Sequence, residues 1–169
     1  GADRQATAAD DGTEASAGWY WQFNRIQGYQ YTTTRTPTTA WDTAIDENLR
    51  WETAKDPCAS LLGTGWRLPT DTEWANADSN GSWTTDTNTY ASVLKLHAAG
   101  YLHYSSGALN DRGGSGRYWS STQSSATDDW YLLFNSGSSS MNNASKAYGW
   151  SARCLNFDNV VISEIFTPS

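Results

Sequence analysis

The sequence predicts an α+β domain. Three observations carry this. Helix signals are confined to two short stretches in the first half, near residues 56–63 and 70–81. A run of short segments of strand character fills the second half. Aromatic residues are too numerous for a disordered chain. Of 169 residues, 10 are Trp, 9 are Tyr and 4 are Phe, so core-forming side chains are plentiful although only 17% of residues are charged. Ser, Thr, Asn and Gly supply the polarity, a composition that favours sheet and loop over helix.

The elements follow in order. Residues 1–17 contain no aromatic residue and no apolar residue larger than Ala, which predicts a disordered tail or linker. Asp10, Asp11 and Glu14 within it read as a solvated acidic stretch rather than as calcium ligands. The domain proper, residues 18–155, opens with an aromatic strand from Trp19 to Phe23. At Asp56-Pro57-Cys58 the signals change to a short helix: Asp56 caps it, Pro57 occupies the first turn and Gly63 ends it. After the extended Gly65-Trp66-Arg67-Leu68-Pro69, Thr70 and Glu73 have the spacing of a capping box. They open a second helix that carries Trp74 and Ala77 and ends near Asn80-Gly81.

From Val93 the pattern favours strands. Val93 to Leu102 is apolar enough for one, interrupted at Gly100, and 110–116 is a loop. Arg117 to Thr122, Trp130 to Asn135, Ser138 to Asn142 and Tyr148 to Leu155 then read as successive strands, with Ser136-Gly137 as a tight turn. Residues 156–169 form an apolar extension, available to add an edge strand or to pack on a second copy of the chain as a homo-oligomer.

The net charge is -7. A chain this acidic is repelled by phosphate backbones and anionic lipid, so a nucleic-acid partner is not expected. No apolar run approaches the roughly 18 residues a spanning helix needs, so membrane insertion is not expected either. Cys58 and Cys154 leave two readings open, one disulfide or two buried thiols. The disulfide, the favoured reading, closes a long loop, for which chain-entropy arguments give about 4.7 kcal/mol. It implies an extracellular or surface location.

The string Gly65-Trp66-Arg67-Leu68-Pro69-Thr70-Asp71-Thr72-Glu73-Trp74 resembles the G-W-R-L-P-T-x-x-E-W signature of FISUMP-type domains, which have a C-type-lectin-like fold. Further matches are Trp41, Trp51, Asp56-Pro57-Cys58, residues 94–101, Tyr118-Trp119-Ser120-Ser121-Thr122, Trp130-Tyr131-Leu132, Phe134 and Gly149-Trp150-Ser151-Ala152-Arg153-Cys154. The resemblance spans residues 18–155. Trp150 stands where that group usually has Phe. Pairing of Cys58 with Cys154 is what the resemblance implies. The chain looks closer still to the variable proteins of diversity-generating retroelements, among them phage receptor-binding and cell-surface proteins. There the last strands and loops are rewritten by adenine-directed mutagenesis on a fixed scaffold. The implied function is ligand display on a virion or cell surface, with a protein or glycan receptor on another cell as partner. Residues 156–169 have no counterpart in that pattern.

The residues themselves point the same way. Residues 114–154 hold 11 Ser, 4 Gly, 3 Asn, 3 Tyr and 3 Trp, the types that paratopes favour. In the strand Trp130 to Asn135, Trp130, Leu132 and Phe134 share one face, read as core. Tyr131, Leu133 and Asn135 share the other, read as exposed. Trp119 reads as a core anchor. Trp150 faces inward, and Tyr148, nearer the loop, is reachable. The small polar run from Ser138 to Ser145 supplies the strongest candidates, Asn142, Asn143, Ala144 and Ser145. Arg117, Tyr118, Ser124, Ser125, Tyr131, Leu133, Asn135, Ser138, Ser140 and Tyr148 complete the expected ligand-binding set.

Two competing chemistries bear on the same motifs. The R-L-P-T-x-x-E-W motif also occurs in the formylglycine-generating enzymes, whose chemistry needs reactive cysteines. A disulfide between Cys58 and Cys154 leaves no thiolate, and His97 and His103 have no nucleophile nearby in sequence. Calcium-dependent sugar binding needs clustered oxygen ligands. The sequence lacks Glu-Pro-Asn, Gln-Pro-Asp and Trp-Asn-Asp, and Asp128-Asp129 reads as a solvated turn. No enzyme activity, metal or cofactor is therefore expected.

Overall fold

In the computed structural model, which describes residues 3–157, helix α1 (Glu14–Ala17) leads into strands β1 (Tyr20–Trp21), β2 (Gly28–Tyr31) and β3 (Arg35–Thr36). Helix α2 (Pro57–Leu62), strand β4 (Trp66–Arg67) and helices α3 (Asp71–Gly81) and α4 (Asp86–Ala91) follow. The rest is strand: β5 (Tyr101–Leu102), β6 (Leu109–Asn110), β7 (Ser115–Gln123), β8 (Asp128–Asn135), β9 (Ser138–Ser145), β10 (Trp150–Ser151) and β11 (Leu155–Asn156). The class is α+β with short helices, as the sequence predicts. Seven strands join in the order β3-β2-β1-β10-β7-β8-β9. Every pairing in that sheet is antiparallel except β10 with β7.

Local chemistry explains the helices. The Asp56 carboxylate accepts from the Cys58 amide at 2.8 Å and, with its other oxygen, from the Leu68 amide at 2.9 Å, so it caps α2 and ties it to β4. Thr70 and Glu73 form the expected capping box at the head of α3. Glu73 also takes a two-pronged contact from Arg67, at 2.6 and 2.7 Å, which holds its carboxyl below the usual range. Helix α4 was not foreseen. Its residues, Asp-Thr-Asn-Thr-Tyr-Ala, carry no apolar period, and it starts on the Thr85 side chain accepting from the Asn88 amide.

The core has three parts. Trp74 and Trp83 pack with Tyr118, Leu132 and Phe134 under α3. On the other face of the sheet, Trp21, Phe23, Trp51, Trp119, Tyr131 and Trp150 pack with Cys58 and Leu68. A third group joins Tyr20 and Tyr29 to Leu102. Cys58 and Cys154 are bonded, closing the chain across a separation of 96 residues.

Three expectations give way. Residues 3–17 are not a loose tail. Asp11 is buried and accepts from Arg4 at 2.7 Å and from the amides of Thr7 and Thr13. These donors, Arg4 foremost, hold its carboxyl far below the usual range. The Ala98 amide donates to the Ala9 carbonyl at 2.7 Å, and the Tyr90 hydroxyl to the Ala6 carbonyl at 2.7 Å. Polar bonds fasten this segment, and apolar content does not reveal them.

Val93 to Leu102 is not one strand. Only Tyr101–Leu102 pairs in β5, because Lys95 and Gly100 adopt positive φ. Gly100 also lies so close to the Asn110 carbonyl and the Arg112 backbone that a Cβ would fall 2.5 Å from the nearest atom. Tyr148 to Leu155 is likewise split, into β10 and β11, and β11 pairs with β4 as an edge strand. The extension beyond residue 157 lies outside the described residues.

Candidate functional site

The register of the last hairpins decides which side chains share a surface. Arg117 lies opposite Leu133, and Leu133 opposite Ser140. Tyr131 is opposite Asn142, Asp129 opposite Ala144, and Asn135 opposite Ser138. Alternation therefore gathers Arg117, Tyr131, Leu133, Asn135, Ser138, Ser140, Asn142 and Ala144 on one face. At its far end this face is covered, because Phe23 and Trp51 lie over Trp119. Toward Leu133 and Ser140 it is open. Ser138 is exposed, and Arg117, Leu133, Asn135, Ser140, Asn142 and Ala144 are half-buried.

An aromatic raft supports this face. Trp150 sits 4.0 Å from Trp119 and 3.9 Å from Tyr131, centroid to centroid. Tyr148 stacks on Trp150 and meets Tyr101, Tyr104 and His103 edge-on at 5.1–5.7 Å. The Arg117 guanidinium lies 3.7 Å above the Tyr101 ring, and its Nε has no hydrogen-bond partner. The result is one face that carries packed rings, one cation and small polar groups, a surface that offers fixed shape and adaptable hydrogen bonds.

The expected residues divide. Tyr131 is on the right face but buried, 6% exposed, because Trp150 covers it. The expectation that it is exposed is therefore wrong, although Leu133 beside it does reach the surface. Tyr118 points the other way: its ring stacks on Phe134 and its hydroxyl donates to the His97 carbonyl, so it is a core residue. Burial pushes that hydroxyl up to about 12. Asn143 and Ser145 alternate to the opposite face from Asn142 and Ala144. Ser124 and Ser125 are exposed, at the end of the strands away from the Ser136-Gly137 turn. Ser125 Oγ accepts there from the Thr127 and Asp128 amides.

Sequence reasoning missed Tyr101, His103 and Tyr104. The signal was present as an aromatic run just after Gly100, but His103 was considered only as a catalytic group.

Two titratable groups lie buried near the Ser124–Ser125 end. Lys146 is fully buried and donates to the Glu47 carbonyl at 2.6 Å, and to Gln123 Oε1 and the Ala126 carbonyl at 3.1 Å. Asp129, read from sequence as part of a solvated turn, is also fully buried, and neither carboxyl oxygen has a partner. Burial pushes its carboxyl up to about 10, partly offset by the nearby Lys146.

The sign of the pH effect follows. Above the unfolded value, near 3.9, the unfolded chain releases this proton while the folded chain keeps it until about 10. Stability drawn from Asp129 is thus full below about pH 4 and is lost as pH rises toward about 10. We expect melting temperature to fall between about pH 5 and about pH 8, and Asp129→Asn to flatten that fall. An unchanged slope in the variant would contradict the assignment.

Residues 79–155 match a family model described as a domain of unknown function (DUF8237). The match takes in α4 and every strand from β5 to β10, including the whole candidate face. No curated protein matches the chain, and no solved structure does.

Proposed function

We propose that this chain is a ligand-binding protein with a C-type-lectin-like fold, and that the face of β7, β8 and β9 bearing Arg117, Leu133, Ser140 and Asn142 is its recognition surface. One observation carries the reading. Ser138, Ser140 and Asn142, among the small polar residues singled out in sequence, share one face with Arg117 and Leu133, and the rings on that same face are locked against one another. Such a ring frame keeps its shape while the small polar groups beside it change, so affinity is altered without unfolding. The partner is a protein or glycan receptor on another cell, met on a virion or cell surface, and the resemblance to retroelement variable proteins extends this to diversified display. The Cys58–Cys154 bond supports an oxidising location and leaves neither thiol free as a nucleophile.

The test is a pair of single replacements, Ser140→Tyr and Asn142→Tyr, assayed for melting and for binding to a panel of labelled cells. Stability should shift by no more than about 0.5 kcal/mol, while the pattern of bound cells changes. Unfolding by these variants, or an unchanged binding pattern, would overturn the reading. A near-identical template repeat and a reverse transcriptase beside the gene would establish diversification. A fixed surface adhesin would lack both.

A further inference from the structure

A second concavity lies on the other side of the sheet. Ser151 is paired with Tyr118 in register and shares its face, opposite to that of Arg117. There the ordered N-terminal segment, the loop at residues 95–97 and residues 151–153 enclose a cleft of about 540 Å³. Its walls include Arg4, Trp19, Lys95, His97, Ser151 and Arg153.

Two of these carry buried atoms with no hydrogen-bond partner. They are His97 Nε2 and Ser151 Oγ, on residues only 8% and 5% exposed. Buried polar atoms without partners are uncommon and costly. The charge is also unusual for this molecule. Arg4 is spent on Asp11, but Arg153 and Lys95 form no ion pair among the described residues, in a chain of net charge -7. Trp19, half-exposed, adds an indole wall.

These features select a ligand. Two cations without an ion pair, Arg153 and Lys95, call for an anion, although the Lys95 ammonium also lies 5.0 Å over the Tyr90 ring. A hydroxyl and a neutral imidazole, kept uncharged by burial, call for groups that both donate and accept. An indole wall suits the C–H face of a ring. Inorganic phosphate is far too small for the space, and an aromatic acid would leave His97 and Ser151 unpaired. We propose that this cleft binds an acidic monosaccharide, its carboxylate toward Arg153 and Lys95 and its hydroxyls toward Ser151 and His97. The site is independent of the recognition surface proposed above, and either reading stands without the other.

The test is calorimetric titration of the full chain with N-acetylneuraminate and with D-glucuronate, and with N-acetylmannosamine and D-glucose as uncharged counterparts. At least one acid should bind saturably and the neutral sugars should not. Ser151→Ala and Arg153→Gln, one removing a single oxygen and the other altering an exposed side chain, should each weaken binding by about tenfold. Their melting curves report whether the fold is kept. The proposal fails if neither acid binds, if the neutral sugars bind equally well, or if both folded variants bind like the parent.

Discussion

Trp119→Ala should destabilise the domain by about 3–5 kcal/mol, the range for emptying a large buried aromatic site. In a chain of this length that lowers the melting temperature on the order of 10 °C. The reasons are all local. The side chain is fully buried and touches Phe23, Trp51 and Trp150 at centroid distances of 4.0–5.8 Å. Its indole donates to the Trp21 carbonyl at 2.6 Å, which the change would orphan. Its own carbonyl accepts from Trp74 Nε1 at 3.0 Å, so it links the two sides of the sheet. The cavity would open directly beneath Trp150 and Tyr131. Ligand recognition by the face above should therefore suffer along with stability. Thermal melting checks the first effect, and a loss below about 1 kcal/mol would show that the core had closed over the gap.

Replacing both cysteines with Ala should cost about 2–5 kcal/mol. The bond spans 96 residues, and cross-links that close long loops restrict the unfolded chain most. It also pins α2, whose Cys58 is fully buried, to the segment after β10. Melting with and without a reductant should reproduce the effect, since Cys154 is only half-buried and reagent can reach the bond. Equal stability of the parent and the double variant would show that packing alone closes this loop.

Both expectations rest on features legible in the sequence to different degrees. The helices α2 and α3 were legible because caps are written in three or four adjacent residues, as in Asp56-Pro57 and Thr70 to Glu73. The strands β7 to β9 were legible because alternation and a Ser-Gly turn mark a hairpin. Two-sided burial of β8 was not. Tyr131 and Leu132 are both buried, one against Trp150 and the other under α3, and alternation cannot reveal cover supplied by distant segments. Residues 3–17 were misread for a related reason, since their anchor is a network of bonds to Asp11 rather than an apolar stripe. Asp129 looked like a surface turn because two adjacent carboxylates read as solvated, whereas both lie in β8 and Asp129 faces inward. Period-two alternation in β9 places Ser138, Ser140, Asn142 and Ala144 on the candidate face. A contiguous polar run hides that alternation, and Asn143 and Ser145 turn to the opposite face.

The buried ammonium of Lys146 has a consequence for how this stretch of chain can evolve. Its three acceptors lie at residue 47, at the end of β7 and in the turn between β7 and β8, so its ammonium ties the segment around Glu47 to the β7–β8 turn. Ala147 next to it is equally inaccessible. On the diversified-display reading proposed above, substitutions among sister copies of the gene should therefore crowd the codons up to 145 and resume at 148, leaving a two-residue gap at Lys146 and Ala147.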